Sequence, residues 1–147
     1  MKIYIAAPFF NEEQLNTVKL IEIMLEENDI EYFSPRSEGV LIEMTPEEKE
    51  RKMIEIFDSN IDNLEECDAM IAIIDDWDTG TVFEIGYFYG LLKPIFTYSN
   101  HNYGLNVMVR QAVNSHNTDL QNLRTNLMQY TNGLILTHFD QLSKDVT

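Results

Sequence analysis

Asp68 to Ile74 (DAMIAII) constrains the fold more than any other stretch, because after the aspartate it runs apolar without the alternation of a half-exposed strand. A strand written this way is covered on both faces, which is the mark of a parallel sheet flanked by crossover helices. Further apolar runs at Lys2–Ala7, Ile30–Ser34, Pro94–Tyr98 and Gly133–Thr137 predict four more strands. Helical patterns fill the gaps. Asn11 is placed to cap a first helix, with Glu12 and Glu13 in its first turn and Leu15, Val18, Ile21, Ile23 and Leu25 as its apolar face. Thr45-Pro46-Glu47-Glu48 carries a capping box with proline at the first helical position, and that helix runs to about Glu66. Arg36–Met44 reads as an irregular loop. A third helix spans about Thr81–Leu92, and helical segments cover about Leu105–Gln129. Repeated βα units of this length predict one α/β domain over residues 1–147. Its expected architecture is a flavodoxin-like, doubly wound, five-stranded parallel sheet in order 2-1-3-4-5 with helices on both faces.

Charge narrows the partners. The 147 residues hold 10 Lys+Arg against 25 Asp+Glu, a formal charge of −15. Affinity for nucleic acid comes chiefly from basic side chains neutralising phosphates, so the balance argues against a nucleic-acid partner and against an anionic membrane surface. No apolar run reaches the ~20 residues of a membrane span, and the N-terminus lacks a signal-peptide pattern, so a cytoplasmic protein is expected. The lone Cys67 excludes an internal disulfide, and His101, His116 and His138 do not stand at ligand spacing. No structural metal is expected.

In sheets of this kind ligands bind beyond the carboxyl ends of the strands, where the strand order reverses. That rule brings Ala6–Asn11 and Asp75–Glu84 to one edge. Gly80 permits a tight turn, the helix after it offers unpaired backbone N–H groups, and Glu84, about one turn in, points back toward the strand ends. Asp78 lies six residues earlier on the loop and reaches the same cleft. Two converging carboxyl groups are the minimal equipment for cleaving a glycosidic bond: one attacks or stabilises the anomeric carbon while the other protonates the leaving group. Plainer readings exist for the same residues, since an acid early in a helix answers the dipole and an Asp-rich turn caps it. The acids of Asp75–Asp78 would also suit Mg²⁺, but no residue sets a phosphate opposite them.

Four blocks carry a resemblance: I-Y-I-A-A-P-F-F at Ile3–Phe10, S-N-I-x-x-L-x-x-C-D-A-M-I-A at Ser59–Ala72, D-T-G-T-x-F-E-I-G at Asp78–Gly86 and G-L-N-V-M at Gly104–Met108. In order and spacing the chain resembles the nucleoside 2-deoxyribosyltransferase family. The resemblance implies that Glu84 is the nucleophile attacking C1′ of a 2′-deoxynucleoside, forming a covalent deoxyribosyl-enzyme. It implies that Asp78 protonates the departing base, that Tyr4 holds the nucleophile in place and that Phe10 packs in the nucleoside pocket. Asn60 and Gly80 line the site in the same reading; Asn60 stands where many members carry Asp, so no proton donation is expected of it. Asn106 and Met108 match residues that the family lends to a neighbouring subunit's site, the Asn binding the sugar 5′-hydroxyl. A homo-oligomer is therefore implied, either a dimer or a hexamer, acting on a deoxynucleoside and a free purine or pyrimidine base without cofactor or metal. The loop Pro35–Gly39 falls where the family reads the base, with Arg36 and Glu38 both eligible.

Two rivals remain at this point. One is an N-glycosidase that hydrolyses deoxynucleosides or their 5′-monophosphates; phosphate cleavers need small and basic residues after strand 1, where this chain has Pro8-Phe9-Phe10. The other is a nucleoside-binding module without catalysis, which would have no need of a nucleophile at Glu84. A receiver domain or a flavodoxin is excluded, because Ala6-Ala7-Pro8 supplies neither acids nor a phosphate loop.

Overall fold

The computed structural model describes residues 1–38, 44–101 and 104–133. Its elements are β1 (Lys2–Ala6), α1 (Glu12–Glu27), β2 (Glu31–Phe33), α2 (Pro46–Glu66), β3 (Ala69–Ile73), α3 (Thr79–Gly90), β4 (Ile95–Tyr98), α4 (Val107–Ala112), β5 (Ser115–Asn117) and α5 (Leu120–Thr131). The strands form one parallel sheet in the order β2-β1-β3-β4-β5, the flavodoxin-like order that the alternation predicts. All five residues of β3 are buried, as an unalternating apolar run requires.

The strand period divides the core between the two faces. Ile3 and Ile5 of β1 join Ile71, Phe96, Val18, Ile21, Leu123 and Leu127 beneath α1 and α5. Tyr4 and Ala6 point the other way, joining Met70, Ala72, Leu64, Ile85 and Phe88 beneath α2, α3 and α4. Helix starts follow the sequence. Asn11 accepts the Gln14 N–H at 2.9 Å, and Thr45 and Glu48 exchange the two bonds of a capping box.

Three expectations change. The fifth strand is Ser115–Asn117, inside the stretch read as helical; the strand expected at Gly133–Thr137 begins at the turn after α5 and otherwise lies outside the described residues. Ser-His-Asn gives no apolar signal because this strand is held by side-chain hydrogen bonds. Thr97 Oγ1 meets His116 Nδ1 at 2.7 Å, and Asn126 Nδ2 donates to Asn117 Oδ1 at 2.7 Å. On α1, Ile23 is 50% exposed whereas Glu22 is buried, because the Arg36 guanidinium donates to both Glu22 carboxylate oxygens at 2.6 and 2.7 Å. Pairing with Arg36 lets an acid occupy the inner stripe. Arg36 itself sits in a 3₁₀ turn, Pro35–Glu38, where an irregular loop was expected; residues 39–43 of that loop lie outside the described residues.

Candidate active site

α3 starts two residues earlier than the pattern suggests, because Asp78 is its N-cap instead of a loop residue. Its Oδ2 accepts the Thr81 N–H at 2.9 Å and the Thr81 hydroxyl at 3.1 Å. Gly80 lies inside the first turn of the helix, so it does not form the tight turn expected of it. What it supplies is clearance: a Cβ there would stand 3.1 Å from Asp78 Oδ2. The sharp turn is made by Asp76 and Trp77, whose φ angles are 65° and 48°. Asp75, buried just before them, accepts from the Ser99 hydroxyl at 2.6 Å and the Asn100 N–H at 2.9 Å.

With the helix so placed, Thr81, Ile85 and Phe88 are buried on its inward stripe, and Glu84 stands beside them at the i+3 position, half-buried. Burial pushes Glu84 up to about 7; the neighbouring Tyr4 hydroxyl from β1 opposes the rise, and the charge of Asp78 adds to it. Glu84 Oε2 is buried without a hydrogen-bond partner, and so is Asn60 Oδ1 on α2. Tyr4 is fully buried, its register fixed by pairing with Met70 and Phe33 and its ring 5.4 Å from that of Phe33. The structure thus brings Glu84, Tyr4 and Asp78 together.

Phe10, Asn106 and Met108 lie on the β1–α1 loop and at the start of α4. Phe10 is 76% exposed on the β1–α1 loop, stacked on Phe9 with ring centroids 5.4 Å apart. Asn106 caps α4, its Oδ1 accepting the Met108 N–H at 2.9 Å, and Met108 is 76% exposed over the outer side of α3 near Val82 and Gly86.

The model of the family described as nucleoside 2-deoxyribosyltransferase matches residues 3–128. The chain belongs to that family. Among solved structures, the 2-deoxyribosyltransferase of Bacillus psychrosaccharolyticus is similar at 30% identity and a TM-score of 0.75, over 84% of this chain and 90% of that one. Two further structures share the fold: a conserved protein from Enterococcus faecalis, 19% identical with a TM-score of 0.53 over 100% of this chain and 90% of that one, and a CMP N-glycosidase from Clostridium botulinum, 19% identical with a TM-score of 0.52 over 88% and 99%. No curated protein matches the chain by sequence.

Within this nucleoside 2-deoxyribosyltransferase fold, the Arg36 guanidinium is paired with Glu22 of α1. Among the described residues no three His, Cys, Asp or Glu side chains gather to hold a metal ion, and no helix is long and apolar enough to cross a membrane. Sequence reasoning missed Gln14. Its side chain bridges the β1–α1 loop and the turn before Asp78, and its only sequence signal is its place three residues after a helix cap.

Proposed function

We propose that the chain moves the 2-deoxyribosyl group of a 2′-deoxynucleoside onto a free purine or pyrimidine base, as a cytoplasmic enzyme of nucleoside salvage. The observation that carries this reading is the Glu84 carboxyl beside the inward stripe of α3, with Oε2 unpartnered, Tyr4 against it and Asp78 near enough to act on its charge. A carboxyl held at about 7 is ionised in a large share of molecules at neutral pH, while burial keeps its anion poorly solvated and reactive.

In the first step, with Asp78 in its protonated form, a Glu84 oxygen forms a bond to C1′ as the C1′–N bond breaks; the electron pair stays on the base nitrogen, and Asp78 gives it a proton and becomes a carboxylate. In the second, a nitrogen of the incoming base attacks C1′, Asp78 takes up the proton that nitrogen sheds, and Glu84 leaves as a carboxylate. Two displacements retain the configuration at C1′. The Tyr4 hydroxyl steadies the carboxylate, and Asn60 Oδ1 is an acceptor available to a substrate N–H or O–H. A nucleoside suits the site better than its monophosphate, since Pro8-Phe9-Phe10 offers no cation and Arg36 is held by Glu22.

The same reading assigns Asn106 and Met108 to the site of a second copy. Ile54 and Phe57 of α2, Phe83 and Tyr89 of α3 and Val107 and Met108 of α4 are each about half exposed or more, an apolar expanse larger than scattered surface residues account for. Sedimentation at assay concentration is expected to give an oligomer; a lone monomer that is fully active removes the shared site.

The function is tested by incubating deoxyinosine or thymidine with and without adenine, following free base and new nucleoside by chromatography. Deoxyadenosine is expected. Free base alone, unchanged by adenine, replaces transfer with hydrolysis, and no reaction across several deoxynucleosides restores the binding module.

A further inference from the structure

We infer that Gln14 is a positioning residue for Asp78, acting as a two-ended clamp between the loop after β1 and the turn after β3. The inference rests on the reading of Asp78 as the acid that protonates the leaving base. Gln14 is 8% exposed on the first turn of α1. Its Oε1 accepts the Phe10 N–H at 2.8 Å, and its Nε2 donates to Asp76 Oδ2 at 2.8 Å, across 62 residues of sequence. The amide can stand only one way round, because a backbone N–H must donate and a carboxylate must accept.

A helix start by itself would not ask for this. A Gln or Glu at the third helical position often reaches back to a backbone N–H before the helix, and a Glu would serve Phe10 equally well. Only the second bond needs a carboxamide. In a chain with 25 acids, a Glu at this position would set a carboxylate against Asp76, whereas Gln offers it a donor.

What the second bond holds is the strained part of the site. Asp76 and Trp77 both have positive φ without being glycine, a conformation that persists only where the surroundings fix it. Asp75 is tied to Ser99 and Asn100 on the β4 side, and Gln14 ties Asp76 on the α1 side. Asp78 follows two residues later, already used as the cap of α3 through Oδ2. With both anchors in place the turn delivers the Asp78 carboxyl in one orientation; with the Gln14 anchor cut, the turn relaxes and the acid loses its aim at the glycosidic nitrogen. The clamp also fixes the backbone of Phe10, so one amide links the two loops at the point where the strand order reverses.

The test compares two donors in a single turnover. Base release from 2′-deoxyadenosine needs a proton, whereas 7-methyl-2′-deoxyguanosine carries a cationic base that departs neutral without one. Gln14→Glu is expected to slow release from 2′-deoxyadenosine by about 10- to 100-fold, part of what general-acid catalysis supplies, and release from the methylated donor by less than about threefold. Gln14→Glu combined with Asp76→Asn rebuilds both bonds with donor and acceptor exchanged at the Asp76 end, and Asn accepts a positive φ readily. That pair is expected to restore most of the rate with 2′-deoxyadenosine. It also keeps the test open if Gln14→Glu alone does not fold, since the pair is then compared with wild type and with Gln14→Met, which cuts both bonds without adding charge. Equal losses on both donors, no loss, or no recovery in a folded double variant overturn the clamp. A wild-type enzyme that releases base from neither donor overturns the proposed function instead, so the two failures are distinct.

Discussion

Two groups of polar side chains are buried against this sheet, and they are satisfied in opposite ways. Between β4, β5 and α5, Thr97, Ser115, Asn117 and Asn126 bond one another: Asn117 Nδ2 donates to Thr97 O and Ser115 Oγ at 3.1 Å each, and Asn117 Oδ1 accepts from Asn126. Glu84 Oε2 on α3 and Asn60 Oδ1 on α2 are instead buried with no hydrogen-bond partner. Burying a polar group costs free energy unless a hydrogen bond replaces the lost water. The first group recovers that cost within the chain and therefore reads as architecture. The second leaves it outstanding, which is the arrangement the proposed function asks of groups that meet a substrate.

A crossed pair of variants tests this contrast most strongly. Glu84→Gln is expected to lower deoxyribosyl transfer by a factor of at least about 10³, the loss typical of removing a covalent nucleophile, while the protein stays folded. Asn117→Leu is expected to do the reverse. It removes the bonds to the Thr97 carbonyl, the Ser115 hydroxyl and the Asn126 amide, costing roughly 2–4 kcal/mol in urea melts, yet turnover per folded molecule stays near wild type. Transfer by Glu84→Gln close to the wild-type rate, or a turnover loss in Asn117→Leu matching its stability loss, would break the division between the two groups.

The same contrast explains what was legible in the sequence. Four strands are written in apolar residues, so periodicity finds β1 to β4 within a residue or two. β5 is written as Ser115-His116-Asn117, and its burial depends on hydrogen bonds to residues far along the chain, so a reading by hydrophobicity passes over it and favours Gly133–Thr137. Glu22 and Ile23 exchange faces for a similar reason, since Arg36 lies 14 residues away and local pattern cannot foresee their pairing. At the candidate site, the fold's topology and the ordered motifs point to Glu84 and Asp78. They do not reveal the positive φ of Asp76 and Trp77, which a Gly would have advertised, nor the second bond of Gln14. Gly80 advertised a turn that lies elsewhere, because a glycine needed for clearance looks the same in sequence as one needed for its backbone.

The smallest effect separates the cost of the outstanding group from its chemistry. In the fold Glu84 is held near 7, above the ordinary 4.5, so the folded state takes up its proton more readily than the unfolded chain does. A group raised in this way contributes fully below the unfolded value and loses its contribution as pH climbs through the folded one. Between about pH 5 and pH 8, therefore, wild type should lose on the order of 2 kcal/mol that a neutral side chain at this position would not lose. Glu84→Gln is expected to melt close to wild type at pH 5 and several degrees higher at pH 8, with activity absent at both. If the two proteins keep the same difference at both pH values, the Glu84 carboxyl is adequately solvated in the empty site, and the contrast with the bonded Asn117 group rests on Asn60 alone. A gain confined to high pH instead means that the chain carries an ionised, poorly solvated carboxylate at the cost of its own stability, which is what a nucleophile awaiting a sugar carbon requires.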